Sequence, residues 1–137
     1  MQTNQKEKMD LLRKEILCLQ GLDAKPGHEQ PHVALGPILE NMPGQAFPTG
    51  AIHEFISTTP AASAATTGFI AALLNTLMKS NPCCIWVSLH RKVFPPALKV
   101  FGIDPDRVIF IDAGSEKEAL WVIEEALKCK AIGAVVG

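Results

Sequence analysis

A basic surplus is missing from this chain. Thirteen lysines and arginines stand against fourteen aspartates and glutamates, leaving a net charge of −1. Neutralising a run of phosphates takes an excess of cations, so a self-sufficient nucleic-acid binder is excluded and only a local basic patch is left open. Also missing is any apolar run near the ~20 residues that a membrane span requires. The N-terminus, MQTNQKEKMD, mixes both charge signs and lacks the apolar core of a secretory signal. The four cysteines, Cys18, Cys83, Cys84 and Cys129, show no CxxC spacing. They read as buried, reduced thiols of a cytoplasmic protein. Cys83 and Cys84 are adjacent on a strand and point to opposite faces, which argues against a shared metal or a disulfide between them.

What is present is enough for one domain: 137 residues, 47% of them hydrophobic, can bury a sizeable core. Met9, Leu12, Ile16 and Leu19 recur at helical spacing within an otherwise charged segment, which predicts an amphipathic helix over residues 1–20, stopped at Gly21. Residues 21–50 are rich in glycine and proline and read as a linker, with one short helix around Pro37–Asn41. His28 and His32 flank Pro31 there, an arrangement that does not favour a metal pair.

Residues 51–137 alternate regularly. Strands are predicted at Ala51–Ile56, Ile85–Leu89, Val108–Ile111 and Ile132–Val136. Helices are predicted at Thr66–Ser80, Pro95–Phe101 and Ser115–Lys130. Continuously apolar strands between helices imply βαβ units and a mostly parallel sheet covered on both faces. Ser115 and Glu118 form a capping box for the last helix. Its predicted buried stripe is Ala119, Leu120, Ile123, Ala126 and Leu127. Trp121 lies on the charged side, either as a partner contact or beneath a neighbouring loop. His53 is expected to be a half-buried structural histidine, and no metal site is expected anywhere.

Between the first predicted strand and its helix lies STTPAASAATTG, Ser57–Gly68. Strand, small-residue loop and helix is the setting of a phosphate-binding loop. In GxxxxGK[ST], glycines curl the amides onto the phosphates, a lysine reaches the terminal oxygens and a hydroxyl holds magnesium. Laid on this segment, the pattern puts Thr59 and Ala64 at the glycines, Ala65 at the lysine and Thr66 at the hydroxyl. Without the lysine ammonium, only helix-end amides remain, each worth about 0.3–1 kcal/mol of dipole interaction. Thr59, Pro60, Ser63, Ala64, Ala65, Thr66 and Thr67 therefore read as a degenerate phosphate loop with ATP binding weak or absent. The plain alternative is a connection of small residues packed closely on the sheet.

Several motifs occur in one order. PTGAIHEF (Pro48–Phe55), TPAASAATT (Thr59–Thr67), PPALKVFGIDPD (Pro95–Asp106), VIFI, SEKEALWVIEEALK and the closing GAVVG together resemble the core of the RecA-type recombinase ATPases over about 100 residues. Within that superfamily the chain looks most like the ImuA group, which shares a PxGAxHE-type motif and an eroded phosphate loop. SulA-type division inhibitors look like more distant relatives.

The resemblance implies an α/β, RecA-like P-loop core carrying an N-terminal helix and an extended linker, with a C-terminal part beyond residue 137. It implies an accessory role in the SOS response and translesion synthesis, exercised through protein partners: a Y-family-like polymerase homologue, an error-prone polymerase and RecA, with DNA contacted weakly or indirectly. The recombinase's water-activating glutamate falls near His90, and its magnesium-binding aspartate near Gly137, so no catalytic residue is carried over. Two alternatives stay open. One is a weak NTPase using Thr66 for magnesium and a lysine from a neighbouring subunit. The other is a SulA-like regulator of a tubulin-like protein. The candidate interaction residues are Met9, Leu12, Ile16 and Leu19 on the first helix, which could also join copies of the chain, the trio His90, Arg91 and Lys92, and Trp121.

Overall fold

The computed structural model describes residues 2–19, 33, 35–42, 45, 47–79 and 81–137. The helix stop at Gly21, the histidines His28 and His32, and most of the segment 21–50 lie outside them. The chain divides into two compact units, Met1–Glu54 and Phe55–Gly137.

The first unit carries helix α1, Gln2–Leu19. Its stripe of Met9, Leu12, Ile16 and Leu19 stands exposed, as does Leu11 beside it. Gly36–Asn41 forms a 3-10 helix with Pro37 in its first turn, where a missing N–H costs nothing. Pro48-Thr49-Gly50 turns the chain, and Gly50 takes φ +69°, a backbone state that β-carbon sterics disfavour in other residues. His53 is exposed rather than half-buried, yet it is structurally engaged. Its ring stacks on Phe47 with centroids 4.4 Å apart, and its Nε2–H donates to the Pro48 carbonyl at 2.8 Å.

The second unit is α/β: a small three-stranded parallel sheet flanked by helices. Strands β1 (Cys83–Ser88), β2 (Val108–Asp112) and β3 (Ile132–Val136) lie in the order β2–β1–β3. Register pairs Cys84 with Val108 and Ala134, and Trp86 with Phe110 and Val136. Side chains alternate across a pleated strand, so these six share one face. That face packs on Ala71, Leu74 and Met78 of helix α2 (Pro60–Leu77) and its following turn, and on Leu98 and Ile103 from the β1–β2 crossover. Burying a leucine of this kind contributes about 1.5–3 kcal/mol. Cys84, fully enclosed here, has its thiol pushed up to about 12, first by burial and then by the neighbouring Cys83.

The opposite face presents Ile85, Val87, Ile109, Ile111 and Val135. Helix α3 (Glu116–Lys128) packs against β1 and β3 on this side. Val87 is buried, whereas Ile109 on β2 remains 49% exposed. The expectation of a sheet covered on both sides therefore holds only in part, because one helix is too narrow to shelter three strands.

Other boundaries moved for physical reasons. The segment Ala51–Ile56 forms no strand and joins no ladder among the described residues. Local pattern encodes an extended backbone, but a strand also needs a neighbour to bond. Pro95–Phe101 is a 3-10 helix closed by Gly102 at φ +77°. Cys18 and Cys129 are exposed, not buried, and all four thiols are free. No helix of the described residues is long and apolar enough to cross a membrane.

Candidate functional site: the C-terminal edge of the sheet

The largest correction concerns the expected phosphate loop. Pro60 to Thr67 are the first two turns of α2, not a loop. Thr59 is extended at the N-cap, and its hydroxyl accepts from the Ala62 amide at 3.1 Å. Pro60 then supplies a preset φ at the first helical position, and the alanines that follow are the best helix formers. Thr67 Oγ1 donates back to the Ser63 carbonyl at 2.9 Å. Thr66 Oγ1 lies 2.8 Å from Ser57 Oγ, so the hydroxyl placed at the magnesium position ties the helix to the segment before it. Each of the three threonines thus has a local partner. Ala64 and Ala65 are exposed.

A connection of only five residues, 78–82, turns α2 back into β1. The start of α2 therefore faces the same way as the carboxyl ends of the strands, the edge where open α/β sheets place their ligands. The trio His90, Arg91 and Lys92 follows β1 at this edge, and all three are exposed. Arg91 is not free. Its Nε donates to Asp112 Oδ1 at 3.1 Å and its Nη2 to Oδ2 at 2.8 Å, a fork that spans from β1 to the end of β2. The guanidinium also sits 5.6 Å from the centre of the Phe110 ring, which in turn stacks on Trp86 at 6.5 Å. Among the described residues, His90 and Lys92 make no side-chain hydrogen bond or ion pair.

Next to β2, Ser115 caps α3 by accepting from the Glu118 amide at 3.2 Å. The expected return bond is displaced by one residue, since the Glu118 carboxylate accepts from Gly114 N at 2.8 Å. Glu116 and Glu118 in the first turn and Lys128 in the last complement the helix dipole. Hydrogen bonds donated to the carboxylates of Glu125 and then Glu124 hold the Lys128 ammonium above its usual range.

The predicted stripe of α3 is only partly buried. Ala119 and Ile123 are half-buried, as is Val122, and Ala126 is fully so. Leu120 and Leu127 are 67% and 61% exposed, because the apolar arc of the helix is wider than the part resting on β1 and β3. Trp121 is 61% exposed and lies under no loop among the described residues. All three side chains face outward, but not as one patch: Leu120 and Leu127, which sequence patterning assigned to the core, share one side of the helix, and Trp121 lies about 100° round it, beyond the Glu124–Lys128 ion pair. No group of three His, Cys, Asp or Glu side chains among the described residues converges to hold a metal ion.

No protein-family model matches the chain, and no solved structure matches it. The chain is 29% identical over 97 residues to Protein ImuA of two strains of Caulobacter vibrioides, NA1000 / CB15N and ATCC 19089 / CIP 103742 / CB 15. The match takes in 69% of this chain and 40% of each relative. It spans well under half of those proteins, and this chain is a distant relative of the ImuA group.

Proposed function

We propose that the protein serves an SOS mutagenesis cassette as a RecA-like accessory factor that works by holding protein partners rather than by turning over nucleotide. The observation that carries this reading is the exposure of Leu120, Leu127 and Trp121 on α3, a helix whose other side is packed on the sheet. Large apolar side chains grouped at a surface mark sites of association, and Leu120 with Leu127 makes such a pair. The relationship to ImuA supports the setting, since the ImuA resemblance implies work beside a Y-family-like polymerase homologue and an error-prone polymerase. The segment 59–67 supports the non-catalytic part: it has no lysine, and the Thr59, Thr66 and Thr67 hydroxyls are engaged locally. His90 and Lys92 give a small cationic edge suited to weak or indirect contact with DNA.

Two measurements on the purified chain test this. Calorimetry with ATP and magnesium is expected to show no saturable binding below millimolar concentrations. Binding to a purified Y-family-like polymerase homologue is expected, and a Trp121→Ala change is expected to weaken it. A micromolar nucleotide affinity, or turnover lost on Thr66→Ala, overturns the non-catalytic reading. Failure of the polymerase homologue to bind overturns the partner assignment.

A further inference from the structure

The edge of the sheet opposite the Arg91–Asp112 pair carries a second feature. Lys79 lies in the turn from α2 into β1, and Asp104 to Arg107 form the approach to β2. Where these segments meet, a cleft of about 280 Å³ opens, walled by Asn75, Met78, Lys79, Ile103, Asp104 and Arg107. Met78 and Ile103 are buried core members and supply an apolar floor. Lys79 and Arg107 are exposed, and neither has a carboxylate partner among the ion pairs of the described residues.

One carboxylate stands in the wall of the cleft, and it is engaged. Asp104 caps the short 3-10 helix that follows, its carboxylate accepting from the Asp106 amide at 3.3 Å. At the end of α2, the Leu74 and Thr76 carbonyls accept from the Met78 and Lys79 amides. The Asn75 carboxamide turns toward Gly102, where an added β-carbon would come within 3.0 Å of Asn75 Nδ2. Glycine at this left-handed position leaves that amide its place. An ammonium, a guanidinium and a carboxamide thus surround one small cleft with a single, engaged carboxylate.

We propose that this cleft binds the phosphate of a small phosphomonoester. A guanidinium presents paired donors to phosphate oxygens, and an ammonium adds a mobile point charge. The volume is near the lower end of ligand sites, about 300 Å³, enough for a phosphate and a sugar-sized body. A nucleic-acid backbone is the poorer fit, since it needs a continued basic track and this chain has a net charge of −1. The site goes beyond the accessory role proposed above and is independent of it.

The test is amide NMR on the full chain, titrated separately with inorganic phosphate, deoxyadenosine monophosphate and an oligothymidine lacking a terminal phosphate. Inorganic phosphate and the nucleoside monophosphate are both expected to shift Asn75, Gly102 and Ile103 and to saturate in the millimolar range. Lys79→Gln and Arg107→Gln are each expected to weaken that saturation about tenfold, the effect of one charge-assisted hydrogen bond. Both side chains are exposed, so unchanged spectra elsewhere verify the fold. Shifts confined to residues 59–67, no saturation, saturation indifferent to both substitutions, or binding of the oligothymidine alone each overturn the proposal.

Discussion

Arg91 and Asp112, 21 residues apart in sequence, close a two-bond fork at 3.1 and 2.8 Å that joins the chain after β1 to the end of β2. Both side chains are about half exposed, at 46% and 52%, so solvent screens the pair. A double-mutant cycle on Arg91→Ala and Asp112→Ala, read by urea unfolding, is expected to give a coupling of roughly 0.2–1 kcal/mol. Arg91→Ala alone is expected to cost more than Asp112→Ala, because it also removes a cation–π contact with Phe110 worth about 0.5–1 kcal/mol. Equal costs would show that the ring contact contributes nothing.

The start of α2 makes a second expectation. If Thr59 is an N-cap, Thr59→Ala costs about 1 kcal/mol and Thr59→Ser stays near neutral, since serine caps as well. In a solvated loop both changes would fall within about ±0.5 kcal/mol. Urea midpoints of the two variants decide between helix start and loop.

Cys84 sets a pH dependence. Its thiol is raised from 9.0 to about 12, first by burial, so the folded state holds the proton more tightly than the unfolded chain. Its contribution is fully present below pH 9.0 and is lost as pH climbs toward about 12. Over that window the stability is expected to fall by up to about 1.4 kcal/mol per pH unit from this group. The chain has no tyrosine to ionise in the same range. Urea midpoints from pH 8.5 to 10, roughly the window before lysines titrate, are expected to fall more steeply for the native chain than for Cys84→Ala. Parallel slopes would contradict the burial of this thiol.

How much of this was legible in the sequence depends on the range of the force involved. The three strands were readable because IWVSL, VIFI and IGAVV are largely apolar runs of strand length, even though Ile109 in β2 stays half exposed. The cap of α3 was readable because Ser115 and Glu118 act on neighbours. The start of α2 is equally local, with threonine before proline before alanines, but small residues after a predicted strand read as a loop as readily as a helix start. Ala51–Ile56 shows the limit of pattern: its residues favour extension, and no pairing partner is encoded nearby. The exposure of Leu120 and Leu127 depends on how many strands lie beneath α3, and the Arg91–Asp112 fork on two segments that only the fold brings together.

The exposed side of α3 yields the sharpest test of what the protein is for. A leucine in a core, changed to glutamate, buries an unpaired charge and costs several kcal/mol. Leu120 and Leu127 already face water, so Leu120→Glu and Leu127→Glu are expected to alter stability by about 0.5 kcal/mol or less. Their effect belongs in association instead. The two tryptophans report on this helix, because Trp86 lies in the core and Trp121 is exposed on α3. In the free chain, acrylamide is expected to quench Trp121 and spare Trp86, which a Trp86→Phe variant separates. Adding the polymerase homologue should shield Trp121 and shift its emission to the blue, and Leu120→Glu should abolish both changes while leaving the unfolding midpoint in place. Were Trp121 already shielded in the free chain at micromolar concentration, the outer side of α3 would be covered by the protein's own copies, and a heterologous partner would have to bind elsewhere.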